Sequence, residues 1–228
     1  METRGVELDA LNMLKTGFLY ILVATLLAII GIFVGLASIF AVVGAVFEHP
    51  FHYVASAAGA LAVFFILLLV SAAVSLYAIF GKIRPGMRLM SQIDRGFDIC
   101  HTGTTLMLVG LIVVILGLIT GLLVIGAGAA AAMPFSALSG VFVILGAVFI
   151  GGIVILIGEI LAFIVGAFKL YGRYNNTLYI AAGILYIVDL ALAFVGVGGI
   201  LSLVGTILMY VALKETIEKI SYKSATPS

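Results

Sequence analysis

The chain has no tryptophan, a single cysteine, four prolines, and only 11 Lys and Arg with 10 Asp and Glu in 228 residues. Each shortage excludes something. Cys100 alone can form neither an intramolecular disulfide nor a cysteine metal cluster. Charged residues make up 9%, against about 25% in soluble domains, so a water-soluble fold, a disordered chain and a coiled coil all lack the polar surface they need. A net charge of +1 supplies no basic field for nucleic acid. What is abundant is apolar: 64% of residues, with a mean hydropathy of +1.39. The chain is therefore expected to be all-α, a polytopic membrane protein whose main partner is the lipid bilayer.

About 20 apolar residues cross the roughly 30 Å hydrocarbon layer as a helix. Six stretches qualify in one chain domain covering 1–223: 17–47, 54–80, 104–125, 141–168, 177–194 and 199–214. The first, at 31 residues, is ~46 Å long and must tilt, kink or project beyond the membrane. Pro50 marks its end, and Gly81 with Pro85-Gly86 are expected to stop the second. The region 126–140, rich in small residues and carrying Pro134, is expected to be a loop, and 196–199 a turn. A β-barrel is excluded, because its strands would alternate in polarity every ~10 residues and these runs do not. The start of the chain carries both signs of charge (Glu2, Arg4, Glu7, Asp9) and precedes a run too long for a signal peptide, so a retained first helix is expected.

Six spans place both termini on one side. All the cations then fall on that side: Arg4 and Lys15; Lys82, Arg84, Arg88 and Arg95; Lys169 and Arg173; Lys214, Lys219 and Lys223. Cationic loops stay in the cytoplasm, so both termini are expected inside the cell membrane. Six tyrosines (Tyr20, Tyr77, Tyr171, Tyr174, Tyr179, Tyr210) gather near the same interface, where ring and hydroxyl favour different solvents. The stretch 82–103 between spans two and three places Met90, Ile93 and Phe97 on one helical face, which suggests a short helix lying on the membrane surface. The tail 224–228 is expected to be disordered.

Small residues recur at helical spacing: Gly31 and Gly35; Gly110, Gly117 and Gly121; Gly151, Gly158, Ala162 and Gly166. Such faces let backbones approach closely, either within one bundle or between copies in a homo-oligomer. Catalytic templates are missing. No nucleophile elbow, zinc-protease helix or phosphate loop is present, so neither an enzyme nor a cofactor is expected. Glu48, His49 and His52 could in principle hold a divalent metal, but Pro50 breaks the helix between them, and interfacial capping is the simpler role.

Two acids lie inside spans. Glu159 and Asp189 sit ~15 and ~20 Å from the cationic ends of their helices, near mid-membrane. An intramembrane acid costs ~2.5 kcal/mol or more on insertion scales, so it is retained for a reason. Hydrocarbon favours the neutral carboxyl. One reading is a proton or cation site in which the two acids face each other, with Tyr186 on the Asp189 face. The other is neutral hydrogen-bonding glue between spans four and five.

The stretch Met87-Arg-Leu-Met-Ser-Gln-Ile-Asp-Arg-Gly-Phe-Asp-Ile-Cys-His-Thr-Gly-Thr-Thr-Leu-Met-Leu-Val-Gly110 resembles the central segment of the archaeal family DUF973. So do Tyr171-Gly-Arg-Tyr-Asn-Asn-Thr-Leu-Tyr-Ile-Ala-Ala-Gly-Ile-Leu-Tyr-Ile187 and the later Gly199-Ile-Leu, in the same order. The resemblance implies an archaeal multispanning membrane protein with no assigned activity, cofactor or site residues. Two functions stand at this point: an assembly subunit packing through its glycine faces, or a small proton- or cation-coupled transporter using Glu159 and Asp189.

Overall fold

The computed structural model describes residues 2–46, 50–130, 134–195 and 198–225. Within them the chain is helical: α1 (Glu2–Val46), α2 (Pro50–Leu76), α3 (Arg84–Ile93), α4 (Asp98–Ala130), α5 (Pro134–Glu159), α6 (Val165–Tyr174), α7 (Thr177–Ala193) and α8 (Ile200–Ala225). Five helices are long and apolar enough to cross a membrane, and α7 is a shorter apolar sixth. The result is a polytopic helical bundle of three antiparallel hairpins: α1 with α2, α4 with α5, and α7 with α8.

α1 is 45 residues, ~67 Å, more than twice a hydrocarbon layer. It begins 15 residues before the expected span, because its charged start is also amphipathic. Ala10, Leu11, Leu14 and Phe18 form a fully buried stripe, while Asp9 and Asn12 face out.

Two long rods each contain a π-helical turn. α2 runs through Tyr77–Ile83 into α3, and α5 runs through Ile160–Ile164 into α6. The expected stop at Gly81 and Pro85-Gly86 therefore does not occur. Pro85 falls in the first turn of α3, where a missing N–H is tolerated. Within 82–103 a short helix does occur, α3, continuous with the rod before it. The apolar face of this stretch exists, but Met87, Met90 and Phe97 turn into the protein and are fully buried. Gly86 lets the rod approach α1 closely, since a Cβ there would meet the Leu14 side chain at 3.0 Å.

The region 126–140 is also more helical than expected. α4 continues to Ala130 on alanines, the best helix formers, and α5 opens on Pro134. At the other end, Asn175 ends α6 in the left-handed conformation (φ 54°), and Asn176 caps α7 by accepting the Leu178 N–H at 3.1 Å. α8 continues through Ala225, so residues 224 and 225 of the expected disordered tail are helical, and 226–228 lie outside the described residues.

Both termini lie at one end, the base. There Leu11, Leu14, Ile83, Met90, Leu170, Tyr179 and Leu213 form a closed core of fully buried side chains. Polar ties reinforce it. Glu7 accepts hydrogen bonds from Arg173 (3.0 and 2.9 Å) and Tyr174 (2.8 Å), Asn176 donates to Glu215 (2.9 Å), and Arg4 donates to the Ile220 carbonyl (2.7 Å).

Toward the far end the hairpins bury little beyond the faces they turn to their own partners. On α4 and α5 these faces are glycine. A Cβ on Gly110 would lie 2.7 Å from the Gly151 carbonyl, one on Gly158 2.6 Å from that of Gly103, and one on Gly121 2.7 Å from that of Gly140. Gly117 sits against Ala147. Gly31 and Gly35 receive Leu67 and Phe64 of α2 in the same way, and Gly166 faces Met87. Ala162 is fully buried beside Gly103.

Candidate intramembrane site

Glu159 is the last residue of α5 before the π turn Ile160–Ile164. Such a turn shifts the register of the side chains around it and recurs at functional positions. Here Gly158 and Ala162 face α4, whereas Glu159 lines two cavities beyond that contact. The residue is exposed and, among the described residues, makes no hydrogen bond or ion pair. Phe163, one turn on, stacks edge-on against Phe18 (centroids 5.8 Å apart) and lies 6.1 Å from the Tyr186 ring.

Tyr186 descends from α7. Thr206 gives its hydroxyl proton to the Ser202 carbonyl (2.8 Å), so the Tyr186 hydroxyl, 3.2 Å from the Thr206 oxygen, is the donor to it. Gly205 makes room for the ring, since a Cβ there would meet it at 3.1 Å.

Asp189 lies one turn beyond Tyr186 and is buried. Both of its carboxylate oxygens accept from the Gly199 N–H (2.9 Å each), and Oδ1 also accepts from Leu201 N–H (3.0 Å). These are orphan donors of the first turn of α8. Asp189 therefore caps the start of α8 rather than gluing spans four and five together. The physical reason is the turn: Gly199 takes a φ of +110°, which folds the α8 amides back over the end of α7.

A cavity of about 100 Å³ lies between the α5 rod and the α7–α8 hairpin, lined by Glu159, Tyr186, Asp189 and Ser202 among apolar side chains. A second, of about 240 Å³, adjoins it and reaches α1 and α2, adding Thr25, Ser75 and Thr206. The two share Glu159, Phe163, Tyr186 and Ser202. A water occupies ~30 Å³ in the liquid, so each has room for several. Phe18, Phe163 and Met107 form the inner wall of the larger cavity, and the closed core of the base lies beneath.

A family model described as "Protein of unknown function (DUF973)" matches residues 7–228. The chain belongs to the DUF973 family. No curated protein and no solved structure matches it. The buried core of the base, the glycine hairpin and both cavities of this DUF973 protein fall within the matched stretch.

Of the site residues expected from sequence, the DUF973 fold brings Glu159, Asp189 and Tyr186 around one cavity. Glu48 and His49 lie outside the described residues, as does the side chain of His52. Among the described residues no three His, Cys, Asp or Glu side chains converge as a metal set. Sequence reasoning passed over the hydroxyls of Thr25, Ser75, Ser202 and Thr206. Their signal was available: Ser202 and Thr206 share one helical face four residues apart, in a run that is otherwise apolar.

Proposed function

We propose that this DUF973 protein is a small, non-enzymatic transport protein of the cell membrane, in which Glu159 binds a proton or cation within a cavity open to one side at a time. A single observation carries the reading: among the described residues Glu159 has no hydrogen-bond or ion-pair partner, and it lines a cavity with a few hydroxyls that all three hairpins touch, with a packed base on one side of it. A carboxyl held at that depth without a partner is costly, and a bound proton or cation removes the cost. By the positive-inside rule we take the base as cytoplasmic, with the cavity on its far side. The inward-facing state requires the base to part, and the π turns at Tyr77–Ile83 and Ile160–Ile164 are where the two long rods can bend.

An assembly role through glycine faces has less support, because those faces are occupied by neighbouring helices of the same chain. A homo-oligomer would have to use other surfaces.

The test is purified protein in liposomes carrying an internal pH dye, with a proton gradient imposed across them. Wild type dissipates the gradient, and Glu159→Gln reduces the rate at least tenfold at equal incorporation. Equal rates in the two proteins, or no flux above empty liposomes, would refute the reading.

A further inference from the structure

We infer that the cavity at Glu159 takes a small lipophilic ammonium cation; this rests on the transport reading above. Three features point to that chemistry rather than to a bare metal ion. The cavity walls carry carboxylates and no Lys or Arg, so the site selects positive charge. The oxygens available to a metal ion are few and scattered. A hard cation such as Ca²⁺ wants six to eight close oxygens, whereas here the lining offers few, and the Tyr186 and Thr206 hydroxyls are already engaged with each other and with the Ser202 carbonyl. Asp189 is also committed to the α8 amides.

The third feature is aromatic. Phe18, Phe163 and Tyr186 form a continuous run of rings beside Glu159, with neighbouring centroids 5.8 and 6.1 Å apart. The Tyr186 hydroxyl is engaged with Thr206 at 3.2 Å, so what the residue offers the cavity is its ring. A carboxylate beside aromatic surface is what a substituted ammonium needs: charge for charge, and ring faces for its polarised methyl or methylene groups. Size bounds the ligand. About 240 Å³ with an adjoining 100 Å³ lies at or below the range of drug-sized sites, so the ligand is small.

The probe is tetraethylammonium, titrated calorimetrically into purified protein at constant KCl. Wild type binds it saturably. Glu159→Gln and Tyr186→Leu each weaken binding about tenfold, while Tyr186→Phe, which keeps the ring, stays within about threefold. Should Tyr186→Leu fail to fold, a saturable tyrosine difference spectrum in wild type that is lost in Tyr186→Phe takes its place. Absence of tetraethylammonium binding, equal loss in Tyr186→Leu and Tyr186→Phe, or full competition by equimolar K⁺ would overturn the inference. If Glu159-dependent flux persists in liposomes without tetraethylammonium binding, the ligand class is wrong and the transport reading stands. If both vanish, both are wrong.

Discussion

Replacing Asp189 with alanine tests whether a carboxylate holds the α7–α8 hairpin together inside the membrane. In the native fold its oxygens take the Gly199 and Leu201 N–H groups at 2.9–3.0 Å. Alanine orphans both. At an exposed helix start, water would replace the lost acceptor and the cost would be about 1 kcal/mol. Asp189 is only 8% exposed and is walled by apolar side chains, so each abandoned donor loses its partner outright, at ~1–3 kcal/mol. The two together cost about 4 kcal/mol. At ~2–4 °C per kcal/mol for a chain of this size, the midpoint of thermal unfolding in detergent falls by about 10 °C. Asp189→Asn keeps one acceptor oxygen but turns an amide N–H₂ toward the Gly199 donor, so it loses about half as much. Hydrogen exchange at Gly199 and Leu201 provides a local reading: both amides exchange faster in Asp189→Ala, with the base unaffected. A midpoint within about 3 °C of wild type, with unchanged exchange at those amides, would show that the cap contributes little and that the turn is held by packing.

Two further predictions concern the hairpins and the base. Gly110→Ala places a methyl group 2.7 Å from a backbone oxygen of α5 and forces the α4–α5 hairpin apart, costing upward of 2 kcal/mol. Gly152→Ala, on the same hairpin, meets nothing within 4 Å and should be neutral or stabilising by about 0.5–1 kcal/mol; unfolding midpoints of the pair are the comparison. Glu7→Ala removes the acceptor shared by Arg173 and Tyr174. Because those side chains are partly exposed, it should cost no more than about 1–2 kcal/mol, and the loss should shrink in high salt.

The membrane character and the helical class were legible because lipid leaves few options: an apolar run must satisfy its own backbone, and only a helix does so alone. The glycine stripes were legible for the same reason, since close approach without a Cβ reads at period 3.6 or 7. What could not be read depends on backbone groups that composition does not reveal. Asp189 looked like glue because its partners, the Gly199 and Leu201 amides, are main-chain atoms. Pro85 looked like a stop because propensity scales assume an α-helical turn before it, and a π turn precedes it instead. Gly103 was read as part of a loop and so was missed as the partner of Gly158. Glu159 was singled out as an acid inside a span, but its place at the π turn Ile160–Ile164 and beside two cavities was not legible, because no pattern in the side chains announces a π turn.

The stripe on α1 has a consequence for biogenesis. Its Leu11, Leu14 and Phe18 share a buried core with Met209 and Leu213 of α8, nearly 200 residues later. At a synthesis rate of ~5–20 residues per second, the ribosome needs about 10–40 s to deliver those partners. The α4–α5 pair can dock as soon as its own residues leave the translocon. The face that α1 turns to the α2–α3 rod, around Leu14 and Ile83, can close early, whereas the part of its stripe that meets α8 stays uncovered until that helix has been made.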